Sequence, residues 1–131
     1  MATFRKKVAK AHYDFAVDGG AVATITPAIT ATIPTNAVIT AVTIDVTTAL
    51  TSAGAATVAL TAGGVTIGAA GAYSSAPYNG TAPAVIARST GLTGTALYIP
   101  IKATSAASIK VVVGTAALTA GVFDIYVEYS Y

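Results

Sequence analysis

From Phe123 to Tyr131, Phe123, Ile125, Val127, Tyr129 and Tyr131 alternate with Asp124, Tyr126, Glu128 and Ser130. A period of two puts one set on each face of an extended chain, so this stretch predicts a half-buried β-strand. The run Val38–Val46 reads the same way. Val38, Val42, Ile44 and Val46 share a core face, and Ala41, Thr43 and Asp45 fall on the other. Shorter runs rich in Val, Ile, Thr and Ala predict strands over Tyr13–Val17, Val22–Thr26, Ala28–Ile33, Ala56–Thr61, Val65–Ile67, Ala84–Arg88, Ala96–Ala103 and Ser108–Val113. β-Branched side chains lose rotamer freedom in a helix and fit a pleated surface, and no stretch predicts a helix of useful length.

Turn residues punctuate these runs: Asp18-Gly19-Gly20, Pro34-Thr35-Asn36, Ser52-Ala53-Gly54, Gly63-Gly64, Asn79-Gly80, Gly91 with Gly94, and Ala120-Gly121. Roughly eight to ten short strands with such spacing predict an all-β domain, an antiparallel β-sandwich or jelly-roll-like fold. Pro100 cannot donate to a ladder and marks its strand as an edge or a bulge. Residues Ala69–Pro83 read as an exposed loop carrying Tyr73 and Tyr78. Two stretches look alike, Thr-Ala-Leu-Thr-Ser-Ala-Gly at 48–54 and Thr-Ala-Ala-Leu-Thr-Ala-Gly at 115–121. Two similar hairpin corners explain the likeness, and so does low complexity.

Composition narrows the class. The chain has 131 residues, 54% of them hydrophobic and 9% charged, with no cysteine. Its mean hydropathy of +0.71 would suit a membrane protein. No window offers the roughly 18 consecutive apolar residues of a spanning helix, however. Val111–Val127, the nearest approach, is interrupted by Gly114, Thr115, Thr119, Gly121 and Asp124. Without cysteine there is neither a disulfide framework nor a thiolate metal site.

Charge is placed unevenly. Arg5, Lys6, Lys7 and Lys10 are four of the seven basic residues, and the other three (Arg88, Lys102, Lys110) face five acidic ones. This pattern predicts a basic N-terminal arm over residues 1–12 and a slightly acidic β-domain over 13–131. His12, Asp14 and Asp18 interrupt the apolar stretch that a secretory signal needs, so synthesis and assembly in a cytoplasm are expected. The arm suits an acidic surface. Nucleic-acid binding would need a basic stripe with interleaved aromatics on the fold itself, which is absent, so no nucleic-acid partner and no membrane are expected.

Catalytic chemistry finds little support. His12 is the only histidine, and although Asp14 is near, no Gly-x-Ser-x-Gly elbow accompanies them. His12, Asp14 and Asp18 have ligand chemistry without a recognised metal spacing. The glycines of Gly63–Gly68 lack the lysine and helix of a phosphate loop. No catalytic, cofactor or metal residue is therefore assigned, and the protein is not expected to be an enzyme. Tyrosine is the suggestive side chain, since it buries area while keeping one polar end. Tyr73, Tyr78, Tyr98, Tyr126, Tyr129 and Tyr131 are the interface candidates.

Three stretches resemble a known group. These are Tyr13-Asp14-Phe15-Ala16-Val17-Asp18-Gly19-Gly20-Ala21-Val22, Ile33-Pro34-Thr35-Asn36-Ala37-Val38-Ile39, and Leu118-Thr119-Ala120-Gly121-Val122-Phe123-Asp124-Ile125-Tyr126-Val127-Glu128-Tyr129. They look like parts of small β-rich structural proteins of tailed-bacteriophage virions, among them head decoration (cement) proteins. The resemblance implies a β-sandwich and a homotrimer seated on the capsid against the major capsid protein. It also implies a stabilising role without catalysis or cofactor. Arg5, Lys6, Lys7 and Lys10 become candidate capsid contacts. The alternative is a tail-fibre or adhesin module that binds host glycan through Tyr73 and Tyr78.

Overall fold

The computed structural model describes residues 6–74, 78–79, 84–86 and 101–131. The strongest alternation in the sequence becomes the centre of the larger sheet. Strand β12 (Leu118–Ser130) buries Leu118, Phe123, Ile125, Val127 and Tyr129 and turns Asp124, Tyr126, Glu128 and Ser130 to the other face. It lies between β1 (Lys6–Asp14) and β5 (Val38–Ser52), antiparallel to both. The short β3 (Ile29–Thr30) flanks β1, while β8 (Ala84–Ile86) and β9 (Ile101–Lys102) pair with successive parts of β5. The result is a six-stranded sheet.

A four-stranded sheet runs in the order β2 (Thr24–Ile25), β11 (Lys110–Gly114), β6 (Thr57–Ala62) and β7 (Val65–Ala72). Its buried Val58, Leu60, Ala62, Ile67, Val111 and Val113 join the inner face of the larger sheet in one apolar cluster. A two-stranded pair, β4 (Thr32–Ile33) with β10 (Ala107–Ser108), supplements them. The protein is an all-β sandwich, with one helical turn, α1 (Phe15–Asp18), among the described residues.

Local chemistry sets several of these elements. Gly63 and Gly64 turn β6 into β7 with φ of +60° and +81°, the two positive values that a tight hairpin requires. The look-alike stretches at 48–54 and 115–121 lie side by side. Ser52 pairs with Leu118 across the ladder, the Thr51 and Thr119 hydroxyls meet at 2.7 Å, and Ser52 Oγ donates to the Ala117 carbonyl at 2.8 Å. Leu50 and Leu118 are buried beneath the junction.

Several expectations change, among them the single strand over Ala28–Ile33, which divides into β3 and β4 in different sheets. Residues 6–12 are no free arm but most of β1, paired with β12 from Lys6↔Ser130 onward. Ala9, Ala11 and Tyr13 face the core while Lys10 and His12 face out. The alternation was hidden because alanine carries little hydrophobic signal beside lysine. Next, Phe15–Val17 is not strand. Asp14 caps a helical turn there, its Oδ1 accepting the Ala16 amide at 2.9 Å.

In β5 the core parity switches, so that Ile39 rather than Val38 is buried together with Val42 and Ile44. Ala41 opposes Glu128 and Ile39 opposes Tyr129, which leaves Thr40 as the extra residue of a bulge. Finally, β7 continues to Ala72 through the first part of the expected loop. Pro100 and the Ala96–Ala103 strand up to that proline lie outside the described residues, as do Arg5, Arg88 and Tyr98.

Candidate functional site

Pairing β1 with β12 assembles a charged surface on the outer face of the six-stranded sheet. Register sets Lys10 opposite Tyr126 and His12 opposite Asp124. The Lys10 ammonium lies 5.6 Å from the Tyr126 ring centroid and 3.8 Å from Asp124 Oδ1. The same carboxylate oxygen meets His12 Nδ1 at 2.6 Å. Further along, Lys6 Nζ approaches Glu128 Oε1 at 3.4 Å, and that oxygen also accepts the Thr40 hydroxyl at 3.2 Å. Asp45 continues the row on β5, opposite Asp124 and exposed.

Lys6 and Lys10, two of the four candidate cations, thus have acidic near neighbours on this face. The Lys6 side chain stays 75% exposed and that of Lys10 51%. Pairs so open to solvent contribute at most about 1 kcal/mol each, so they position the lysines more than they hold the fold. Lys7 is placed differently, at the rim beside the end of β12. Its ammonium lies 5.2 Å from the Tyr131 ring centroid and donates to the Tyr131 hydroxyl at 3.4 Å. Tyr131 in turn stacks on Tyr129 at 5.8 Å.

The tyrosine candidates separate by depth. Tyr131 is half exposed, Tyr126 lies part-buried under Lys10, and Tyr129 is buried. Tyr73 is half-buried beside an open hollow of about 420 Å³ lined by Gly54–Thr57 and Ala72–Ser74. Tyr78 departs from its expected exposed loop. Its ring packs edge-on against Phe123 at 5.9 Å and its carbonyl accepts the Leu50 amide at 3.0 Å. That burial pushes its phenol above the ordinary range and removes it from any contact surface.

His12, Asp14 and Asp18 do come together around a hollow of about 230 Å³ that also meets Val17, Ala28 and Ile29. Their polar atoms serve the chain itself. Asp18 accepts the Asp14 amide at 3.0 Å and the Ala28 amide at 2.8 Å, which closes the turn that α1 begins. Among the described residues no group of three or more His, Asp or Glu side chains is arranged to hold a metal ion. Sequence reasoning found the lysines but missed their partners. Asp124 lies 112 residues from His12, and no local signal announces that contact.

No protein-family model matches the sequence, and no curated protein does. The fold nonetheless has a counterpart. A chain of the cyanophage Pam1 capsid asymmetric unit superposes with a TM-score of 0.50, at 18% identity, over 97% of this chain and 85% of that one. The likeness is one of fold: both are built on the same β-rich architecture across nearly the whole chain. Among the described residues, no helix is long and apolar enough to cross a membrane.

Proposed function

We propose that this chain is a structural protein of a phage virion, and within the virion a capsid decoration protein. In this reading it binds the outer head surface as a homotrimer, seats against the major capsid protein and stabilises neighbouring capsid subunits without catalysing a reaction. The carrying observation is the fold shared along 97% of the chain with a component of a phage capsid. Surface chemistry supports it. With charged residues at 9%, the molecule has few charges to desolvate when a face is covered. Its outer face presents Lys6 and Lys10 beside exposed Val8 and Ile29. Glycan recognition through paired loop tyrosines is disfavoured, because Tyr78 belongs to the core.

Native mass spectrometry and co-sedimentation with emptied, expanded heads of the matching phage test this reading together. A trimer that binds such heads and raises their disruption temperature is the expected result. A monomer that fails to bind them would overturn it.

A further inference from the structure

Strand β1 has β12 on one side along its whole length, but among the described residues its other side is covered only near its C-terminal end. There β3 pairs with Ala11 and His12, and the Ala31 amide donates to the Lys10 carbonyl at 3.2 Å before the chain leaves the sheet. Backbone groups alternate sides along a strand, so the direction of the Lys10 carbonyl fixes those of Val8 and Lys6. Their amides and carbonyls point to the side where no described residue pairs with them. Among the described residues the edge is unpaired, and it is exposed as well, since Lys6, Lys7 and Val8 all face solvent and Val8 is 64% exposed.

We propose that this open edge, Lys6–Ala9, is a docking site for an extended acidic segment of a partner protein, which adds to the sheet as a further strand. Charge decides the occupant. A second copy pairing through the same edge would set the lysines of β1 beside their own images, and like charges across a ladder are destabilising. An acidic strand meets the opposite situation, with Lys6 and Lys10 on one face of β1 within reach of its carboxylates.

Within this sequence no free acidic segment offers itself. All five of its acids (Asp14, Asp18, Asp45, Asp124, Glu128) lie in described elements or turns, and residues 1–5, 75–77, 80–83 and 87–100 contain none. β12 shows what the lysines accept, because it brings Glu128 to Lys6 and Asp124 to Lys10 from the other flank. A strand with carboxylates on one face and apolar side chains on the other would put acids beside these lysines. Its apolar side chains would extend the buried face beyond Ala9.

This inference concerns the edge alone and stands whether or not the protein decorates a capsid. The probe is a fluorescein-labelled peptide, Thr-Glu-Val-Glu-Val-Glu-Thr, with Thr-Lys-Val-Lys-Val-Lys-Thr as its counterpart. Anisotropy titrations at low salt should show the acidic peptide binding and the basic one not, with affinity falling as salt is added. Lys6→Glu should weaken binding on the order of fivefold. Lys102→Glu, an exposed lysine on β9, should leave it unchanged. Hydrogen exchange at the Lys6 and Val8 amides should slow on binding, while the Ala9 and Ala11 amides, already directed at β12, should not respond. Equal affinity for the two peptides, no binding of the acidic one, or unprotected Lys6 and Val8 amides in the complex would each overturn the proposal. So would protection of those amides in a peptide-free dimer, which would assign the edge to a second copy.

Discussion

The hydroxyl of Tyr13 donates to the Gly19 carbonyl at 2.6 Å from a fully buried side chain whose ring tilts against Phe123 at 5.0 Å. One residue thereby ties the end of β1 to the turn after α1 and to the centre of the core. Burial first, then the negative charges of Asp18 and Asp14, raises its phenol from 10.0 to about 12. The folded state therefore holds a proton that the unfolded chain releases nearer pH 10. Its contribution is complete below pH 10 and is lost as pH rises through about 12, at up to roughly 1.4 kcal/mol per pH unit. Tyr13→Phe should cost about 1 kcal/mol at neutral pH, for the lost hydrogen bond. It should also flatten the alkaline decline, to which the buried Tyr78 phenol contributes as well, by one proton's worth. Urea midpoints at pH 7, 10 and 11.5 for both proteins test this; parallel pH curves would show that Tyr13 is not the titrating group.

At the scale of elements, β1 carries the clearest consequence. Deleting residues 2–10 would trim nothing loose. It would remove the N-terminal five residues of β1 and their pairing with Tyr126–Ser130, and would uncover the edge of β12. We expect a loss of roughly 2–5 kcal/mol, read as a lower urea midpoint, from the broken ladder and the lost Ala9 packing. A deletion variant as stable as the parent would mean that β1 contributes little to the sheet. The deletion therefore cannot by itself report on capsid attachment, for which charge reversal at single lysines is the cleaner probe.

Legibility divides along the same lines. The β12 stripe was readable because Phe123, Ile125, Val127 and Tyr129 are large and strictly alternate, and β6 and β11 fell within a residue or two of their expected bounds. The Thr40 bulge was not readable, since neither Thr40 nor Ala41 has enough preference for core or solvent to show where the parity changes. The burial of Tyr78 depends on Phe123 and the Leu50 amide, contacts made only after the sheets close. For the candidate site, the lysine cluster stood out as composition. Its geometry required knowing that the first long strand lies against the last.

On the scale of the whole molecule, that pairing of first and last long strands governs how the fold forms and fails. Lys6 opposes Ser130, so the central ladder of the larger sheet cannot form until the described ends of the chain meet. The core gives neither sheet an independent interior, because buried side chains from both belong to one cluster. Loop closure must precede the rewarding contacts, which places folding in the slow, millisecond-to-second range of β-sandwiches. The same interdependence leaves no separately stable half, so unfolding should be a single cooperative event. Tyrosine fluorescence reports on the seven tyrosines together, the core Tyr13 and Tyr78 beside Phe123 among them, and far-UV circular dichroism reports on strand content. The two should trace one urea transition with a common midpoint. Loss of the tyrosine signal before the circular dichroism would show that the sheets separate while their strands persist. It would thereby refute the single-core account of this sandwich.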